Sequence, residues 1–280
     1  MKTDSNAKCN QDFDINTEIE ESILTPLACA TLINEFLKGI VFQKGQIPYP
    51  YSRLKSVVEK KSGQTEAKTR GVENYTINNH YKIVSSAFYA LEEIMRGINR
   101  EFITLRNNIK EVLILIGNSP QCPKEAYSVV ISNISTHHID ANHMHEMSKI
   151  QPKVLRSIFL SQEWMDSVDS QNNCSNIFIF MKKNVSNGQC IEGSGFIPTK
   201  NLNISSKVKH VKVKLSYNIV NDSKDCCKNL TVFQEGENVL STISEKPFET
   251  VLTTEWYQCK HMVKGFKDCF INKVSVSELW

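Results

Sequence analysis

The chain has 280 residues, 40% of them apolar and 22% charged, with a formal net charge of +3. That length and composition suit a globular protein with a sizeable core, in one large domain or two small ones. The charge is small, and Lys and Arg are mixed with acids along the chain, which argues against a nucleic-acid partner. The longest apolar runs, "VLILIG" and "IFIFM", have strand length. Both are far short of the roughly 18–20 residues of a membrane helix, so no membrane partner is expected.

Residues 1–22 are polar and acidic, with "DFDINTEIEES" at their centre. They lack the apolar stretch of a secretory signal and predict a disordered acidic tail. Behind Pro26, the residues Leu27, Ala30, Ile33, Phe36, Leu37, Ile40 and Val41 recur at helical spacing. This first helix is expected to end near Gln43 or Lys44, because Gly45 suits a C-terminal cap and Pro48 and Pro50 forbid continuation. "YSRLKSVVEKK" predicts a short second helix, followed by a polar loop over residues 62–73. From Ile77 to Leu105 one wide stripe holds Ile83, Ala87, Phe88, Leu91, Ile94, Met95, Ile98 and Phe102. A helix of that length must pack on a large surface, for which a sheet is the natural candidate.

"EVLILIG" and "EAYSVVISNI", joined by the turn residues "NSPQCPK", predict an antiparallel hairpin. A third long helix is expected from Lys149 to Val168, with Ile150, Val154, Leu155, Ile158, Phe159 and Met165 at helical intervals. Four strand-like runs follow: "NIFIFMKK", "HVKVKLSYNI", "NLTVFQE" and "WYQCKHMV". Helices and strands are partly segregated, without a regular β-α-β repeat. The expectation is an α+β fold with three main helices packed against a mostly antiparallel sheet in a single domain.

The segment "STHHIDANHMHEM" gathers His137, His138, His143 and His145 beside Asp140 and Glu146, all metal-ligand types. The H-E-x-x-H spacing is absent, and adjacent or alternating histidines do not converge from one helical face. The segment reads as a polar loop before the third helix, with a metal-dependent hydrolase built on His137–His145 as the alternative. No phosphate-binding or dinucleotide-binding glycine motif occurs. Ser194 lacks a nucleophile elbow, and Cys122 has no base nearby in sequence. No catalytic residue, metal ligand or cofactor is assigned. The nine cysteines are odd in number and show no C-x-x-C pair, so they read as reduced thiols.

Five stretches, taken in order, resemble a known family: "LKGIVFQKGQIPYPYSRLK", "VLILIGNSPQCPKEAY", "LRSIFLSQEWMDSV", "GFIPTKNLNISSKVKHVKVKLS" and "VKGFKD". The family is that of the comet-type, HORMA-like adaptors of the mitotic arrest deficient (Mad) checkpoint protein, and the similarity runs from about Leu27 to Asp268. The resemblance implies a single HORMA-like domain over residues 23–270, with 271–280 as a C-terminal extension. It implies a non-enzymatic adaptor that binds the closed conformer of the Mad protein and presents it to an AAA+ remodelling ATPase. It further implies that the checkpoint complex is thereby dissolved and the spindle checkpoint silenced, in nucleus and cytoplasm with spindle or kinetochore association in mitosis.

By the same resemblance, Gln43 matches a residue that contacts the Mad partner. A family aromatic on the third helix falls on Leu155 in one register and on Phe159 in the other. The Leu155 register aligns the longer stretch, and Phe159 then flanks the interface or enters the core. The family's ATPase contact, a Pro-Lys pair after an aromatic, falls on Pro198, Thr199 and Lys200. Here Thr199 separates the two and moves the lysine one position on.

Overall fold

The computed structural model describes residues 12–20, 22–62, 72–167, 173–186, 194–200, 202–218, 227 and 252–278. In chain order the first elements are β1 (Asp12–Ile19), α1 (Pro26–Gln43), α2 (Tyr51–Ser62), α3 (Val72–Leu105), β2 (Ile109–Ser119) and β3 (Cys122–Ile131). They are followed by α4 (Asp140–Phe159), α5 (Gln162–Ser167), β4 (Asn176–Ser186), β5 (Phe196–Thr199) and β6 (Lys209–Tyr217). The described chain closes with β7 (Leu252–Cys259), β8 (Val263–Lys264), β9 (Phe270–Ile271) and β10 (Val274–Ser275).

Seven strands order as β1-β6-β3-β2-β4-β7-β5, and β8 pairs with β4. Only β1–β6 and β6–β3 run parallel; the other pairs of this sheet are antiparallel. The fold is α+β and HORMA-like, with α1, α3 and α4 as its three main helices. Period-two alternation divides the sheet into two faces. Val112, Ile114, Ile116, Tyr127, Val129, Val211, Val213 and Ile179 join the helices in the main core. Leu113, Leu115, Ala126, Phe178 and Phe180 point the other way and are covered by Leu202, Ile204, Val208 and Trp256.

Three expectations need correction. The acidic segment is not a disordered tail from residue 12 onward, because β1 forms one edge of the sheet, parallel to β6. Its alternate residues Ile15, Thr17 and Ile19 are buried. Its outward acids meet the basic stripe of β6, Asp14 to Lys214 at 2.8 Å and Asp12 to Lys212 at 3.9 Å. The hydrogen bond from Lys214 holds the Asp14 carboxyl below its ordinary range, since it favours the charged form. Residues 1–11 lie outside the described residues.

The third long helix starts at Asp140 rather than near Lys149, so His143 and His145 are helical and not part of a loop. His143 occupies the inward position of the stripe His143, Met147, Ile150, Val154, Ile158, all buried. The helix then ends at Phe159, and a separate short α5 follows.

The stretch after 270 is not a mere extension. Val276 is fully buried in the main core. Asp268 binds this segment to the helices: it accepts from Ser275 Oγ at 2.7 Å and from the Tyr49 hydroxyl, and it lies 3.6 Å from His80 Nε2 on α3. The expected strand "NLTVFQE" falls outside the described residues. Strand β5, by contrast, was not expected from periodicity.

The end of α1 follows its sequence closely. Gly45 adopts φ of +61°, a left-handed conformation that side chains with a Cβ disfavour. Its N–H reaches the Phe42 carbonyl, and the Gln46 N–H reaches that of Val41, the paired bonds of a Schellman motif. Tyr49 and Tyr51 turn inward: Tyr49 is buried, and Tyr51 stacks on Phe88 and binds Glu92.

Candidate partner-binding site

Three elements meet at one end of the helical layer: the last turns of α1 and α4, and the short α5. Trp164 of α5 is buried and donates its indole N–H to Gln43 Oε1 at 2.9 Å. Gln43 itself is exposed, and this bond holds its amide in one orientation at the surface.

The Phe159 ring lies parallel to Phe36, with centroids 5.5 Å apart, and meets Trp164 edge-on at 4.8 Å. Both are favourable arrangements for aromatic quadrupoles. Gly39 makes room for this ring, because a Cβ there would lie 2.4 Å from Phe159 Cζ. Leu155, one turn earlier on α4, is half-buried against the same core. Gln43, Leu155 and Phe159, expected from sequence at one interface, thus belong to two packed helix ends.

Beneath this edge lies a buried charge network. Lys44 Nζ sits 3.3 Å from Glu125 Oε1 and donates to the Ser167 carbonyl at 3.2 Å. Glu125 accepts on its other oxygen from the Tyr127 hydroxyl at 2.7 Å. Burial and the adjacent Glu125 carboxylate push the Tyr127 phenol up, so the hydroxyl stays a donor. The network joins the end of α1, β3 and the end of α5, and so fixes where Trp164 and Gln43 meet. It also connects two of the stretches quoted above, "FQKGQIPYPY" and "SPQCPKEAY".

The exposed apolar side chains here are Phe42 at 43%, Leu160 at 69% and Met165 at 55% exposure. Each is the sequence neighbour of a cluster member: Gln43, Phe159 and Trp164 respectively. Sequence reasoning missed these three. Apolar residues at the last turn of a helix read as core until the crossing of α1 and α4 is known.

Pro198, Thr199 and Lys200 lie elsewhere. The first two are in β5, the edge strand opposite β1, and Lys200 directly follows. Pro198 and Lys200 are exposed, and a proline without an N–H fits an edge. The strand is anchored by buried Phe196 and by Ser194, whose hydroxyl donates to Glu101 Oε1 at 2.5 Å. Since α4 and α5 pack near β1, the two candidate contacts lie toward opposite ends of the sheet.

The histidine-rich segment divides in two. His137 and His145 are exposed, whereas His138 and His143 converge on Cys227, a residue that no spacing argument connects to them. Burial raises the Cys227 thiol, but the Ile139 backbone and the side chains of Asn142, His143 and His138 outweigh it and bring the thiol down to about 6. Six cysteines, Cys29, Cys122, Cys174, Cys227, Cys259 and Cys269, are free among the described residues.

Comparison with protein families matches residues 21–236 to the family described as "p31comet: Mad1 and Cdc20-bound-Mad2 binding". The MAD2L1-binding protein of Homo sapiens is 30% identical over 112 residues, 40% of this chain and 40% of that protein. The MAD2L1-binding protein of Mus musculus is 27% identical over 138 residues, 49% of this chain and 48% of that protein. The aligned stretches therefore span under half the length of these relatives. With residues 21–236 of its 280 matched, the chain belongs to the p31comet family.

Proposed function

We propose that this chain is a non-enzymatic adaptor that binds the closed conformer of a Mad checkpoint protein through the edge formed by α1, α4 and α5. Gln43, Leu155 and Phe159 are the contact residues, with Phe42, Leu160 and Met165 extending the apolar surface. The observation that carries this reading is the tethering of an exposed Gln43 by buried Trp164, beside exposed apolar side chains that belong to the same helix ends. An oriented amide set in an apolar rim gives specificity, because a partner that cannot pair with it leaves a buried polar group unsatisfied. The family's description and the names of both relatives support the same partner.

The second part of the proposal concerns an AAA+ remodelling ATPase. Pro198, Thr199 and Lys200 on the opposite sheet edge would contact it, leaving α1 and α4 free for the Mad protein. The adaptor would then present the Mad conformer for remodelling, dissolve the checkpoint complex and silence the spindle checkpoint. It would act in nucleus and cytoplasm with spindle or kinetochore association.

The test is co-purification with closed Mad protein, followed by ATPase turnover in its presence. Wild type should capture the Mad protein and raise turnover. Leu155→Ala should lose most capture, whereas Lys200→Glu should keep capture and lose stimulation. Capture unchanged by Leu155→Ala together with Gln43→Ala would remove the interface assignment.

A further inference from the structure

The convergence of His138, His143 and Cys227 is independent of the partner-binding edge. His143 is 4% exposed, and its Nε2 lies 3.4 Å from Cys227 Sγ. The His138 ring stands edge-on to the His143 ring, with centroids 5.0 Å apart. One ligand atom from each of the three residues lies within 4.8 Å of the other two. We propose that His138, His143 and Cys227 form a zinc site that ties Cys227 to the start of α4.

The His143–Cys227 pair already has the separation of two zinc ligands, and His138 lies close enough to close the set. Bonds of about 2.3 Å to sulfur and about 2.0 Å to nitrogen, opened at a tetrahedral angle, place the two ligand atoms about 3.5 Å apart. The His143–Cys227 separation of 3.4 Å meets that without rearrangement. A thiolate with two imidazoles is a ligand set of borderline softness, suited to zinc and unsuited to magnesium or calcium. Glu146 lies on the far side of the His143 ring. Its Oε2 lies 3.9 Å from His143 Nδ1, on the ring nitrogen that does not face Cys227. Drawn in to hydrogen-bond length by rotation of the exposed Glu146 side chain, this carboxylate would fix the tautomer that presents Nε2 as a ligand. Three protein ligands leave one tetrahedral position for water or a further side chain. The clip joins residues 84 apart in sequence, so metal binding is coupled to folding of this part of the domain.

The experiment uses the full chain purified without chelator, with zinc measured by elemental analysis and the melting temperature recorded. About one zinc per chain is expected for one site of this kind. It should be lost in Cys227→Ser and His143→Gln and retained in His145→Gln, an exposed histidine of the same helix. Chelator should lower the melting temperature, and zinc but not magnesium should restore it. Should Cys227→Ser fail to fold, cobalt titration of metal-stripped wild type decides alone. A thiolate-to-cobalt charge-transfer band supports the site. A wild-type chain that takes up neither metal, or whose uptake survives the Cys227 and His143 substitutions, overturns it and leaves a hydrogen-bonded thiol–imidazole pair. None of these readouts involves the Mad protein, so they stand or fall apart from the adaptor reading.

Discussion

Buried Trp164 donates its indole N–H to the side-chain oxygen of exposed Gln43, 2.9 Å away. A core residue thereby sets the orientation of a surface amide. Trp164→Phe should keep the aromatic packing on Phe36 and Phe159 while releasing Gln43. The lost bond and reduced volume cost about 1–3 kcal/mol, read as a lower urea midpoint. Binding to the Mad protein should weaken too, although Trp164 itself is not exposed. Full affinity in this variant would show that the orientation of Gln43 is immaterial.

Gly39 of α1 lies directly against the Phe159 ring of α4, where a Cβ would come within 2.4 Å of Phe159 Cζ. Two opposed effects decide Gly39→Ala. The added methyl group displaces a ring already packed on Phe36 and Trp164, at about 1–3 kcal/mol. Replacing a helical glycine returns about 0.5–1 kcal/mol. The steric term wins, and a net loss is expected in chemical denaturation. In the Phe159→Leu background the clash is absent, so Gly39→Ala should become neutral or stabilising. This sign change is the signature of direct contact in a double-mutant cycle.

Glu101 and Lys183 form an ion pair at 2.5 Å with both side chains buried, and burial pushes the Lys183 ammonium below its ordinary value. Removing one partner strands the other. Glu101→Leu should cost about 3–5 kcal/mol, whereas Glu101→Leu with Lys183→Met should recover most of it. Thermal unfolding of the three proteins checks this. Because Ser194 also binds Glu101, the single variant should loosen the start of β5 and with it the candidate ATPase contact.

Two histidines make stability fall on acidification. Burial depresses His80, partly countered by Asp268, and burial with the nearby Lys212 depresses His210. Below the ordinary value of 6.5 the unfolded chain protonates first. Their folded-state advantage is complete above that value and lost as pH falls through the window beneath it. Urea midpoints should therefore drop between about pH 7.5 and about pH 5.5, and His210→Gln should flatten the slope. A midpoint that rises with acid would contradict the assignment.

The helices and the central hairpin were legible because each carries its pattern within one continuous stretch, as in α3 or "VLILIG". Strand β1 was not, because its meaning lies in its complement. Asp12 and Asp14 look like a solvated acidic run until Lys212 and Lys214 are brought beside them. The first turns of α4 were hidden by His143, a polar residue in an apolar position of the stripe. At the candidate site, Gln43, Leu155 and Phe159 were singled out by resemblance alone. The residues that position them, Trp164, Lys44 and Glu125, carry no local signal, since their roles depend on contacts 81 to 123 residues apart.

The central claim is tested most directly by Gln43→Glu, measured by isothermal titration against closed Mad protein. Unlike alanine, glutamate keeps the oxygen that accepts from Trp164, so no buried donor is stranded and the fold is undisturbed. It removes the amide N–H₂ presented to a partner. The account predicts a melting temperature close to wild type and an affinity at least about tenfold weaker, about 1.4 kcal/mol. Wild-type affinity in a normally folded Gln43→Glu chain would contradict it.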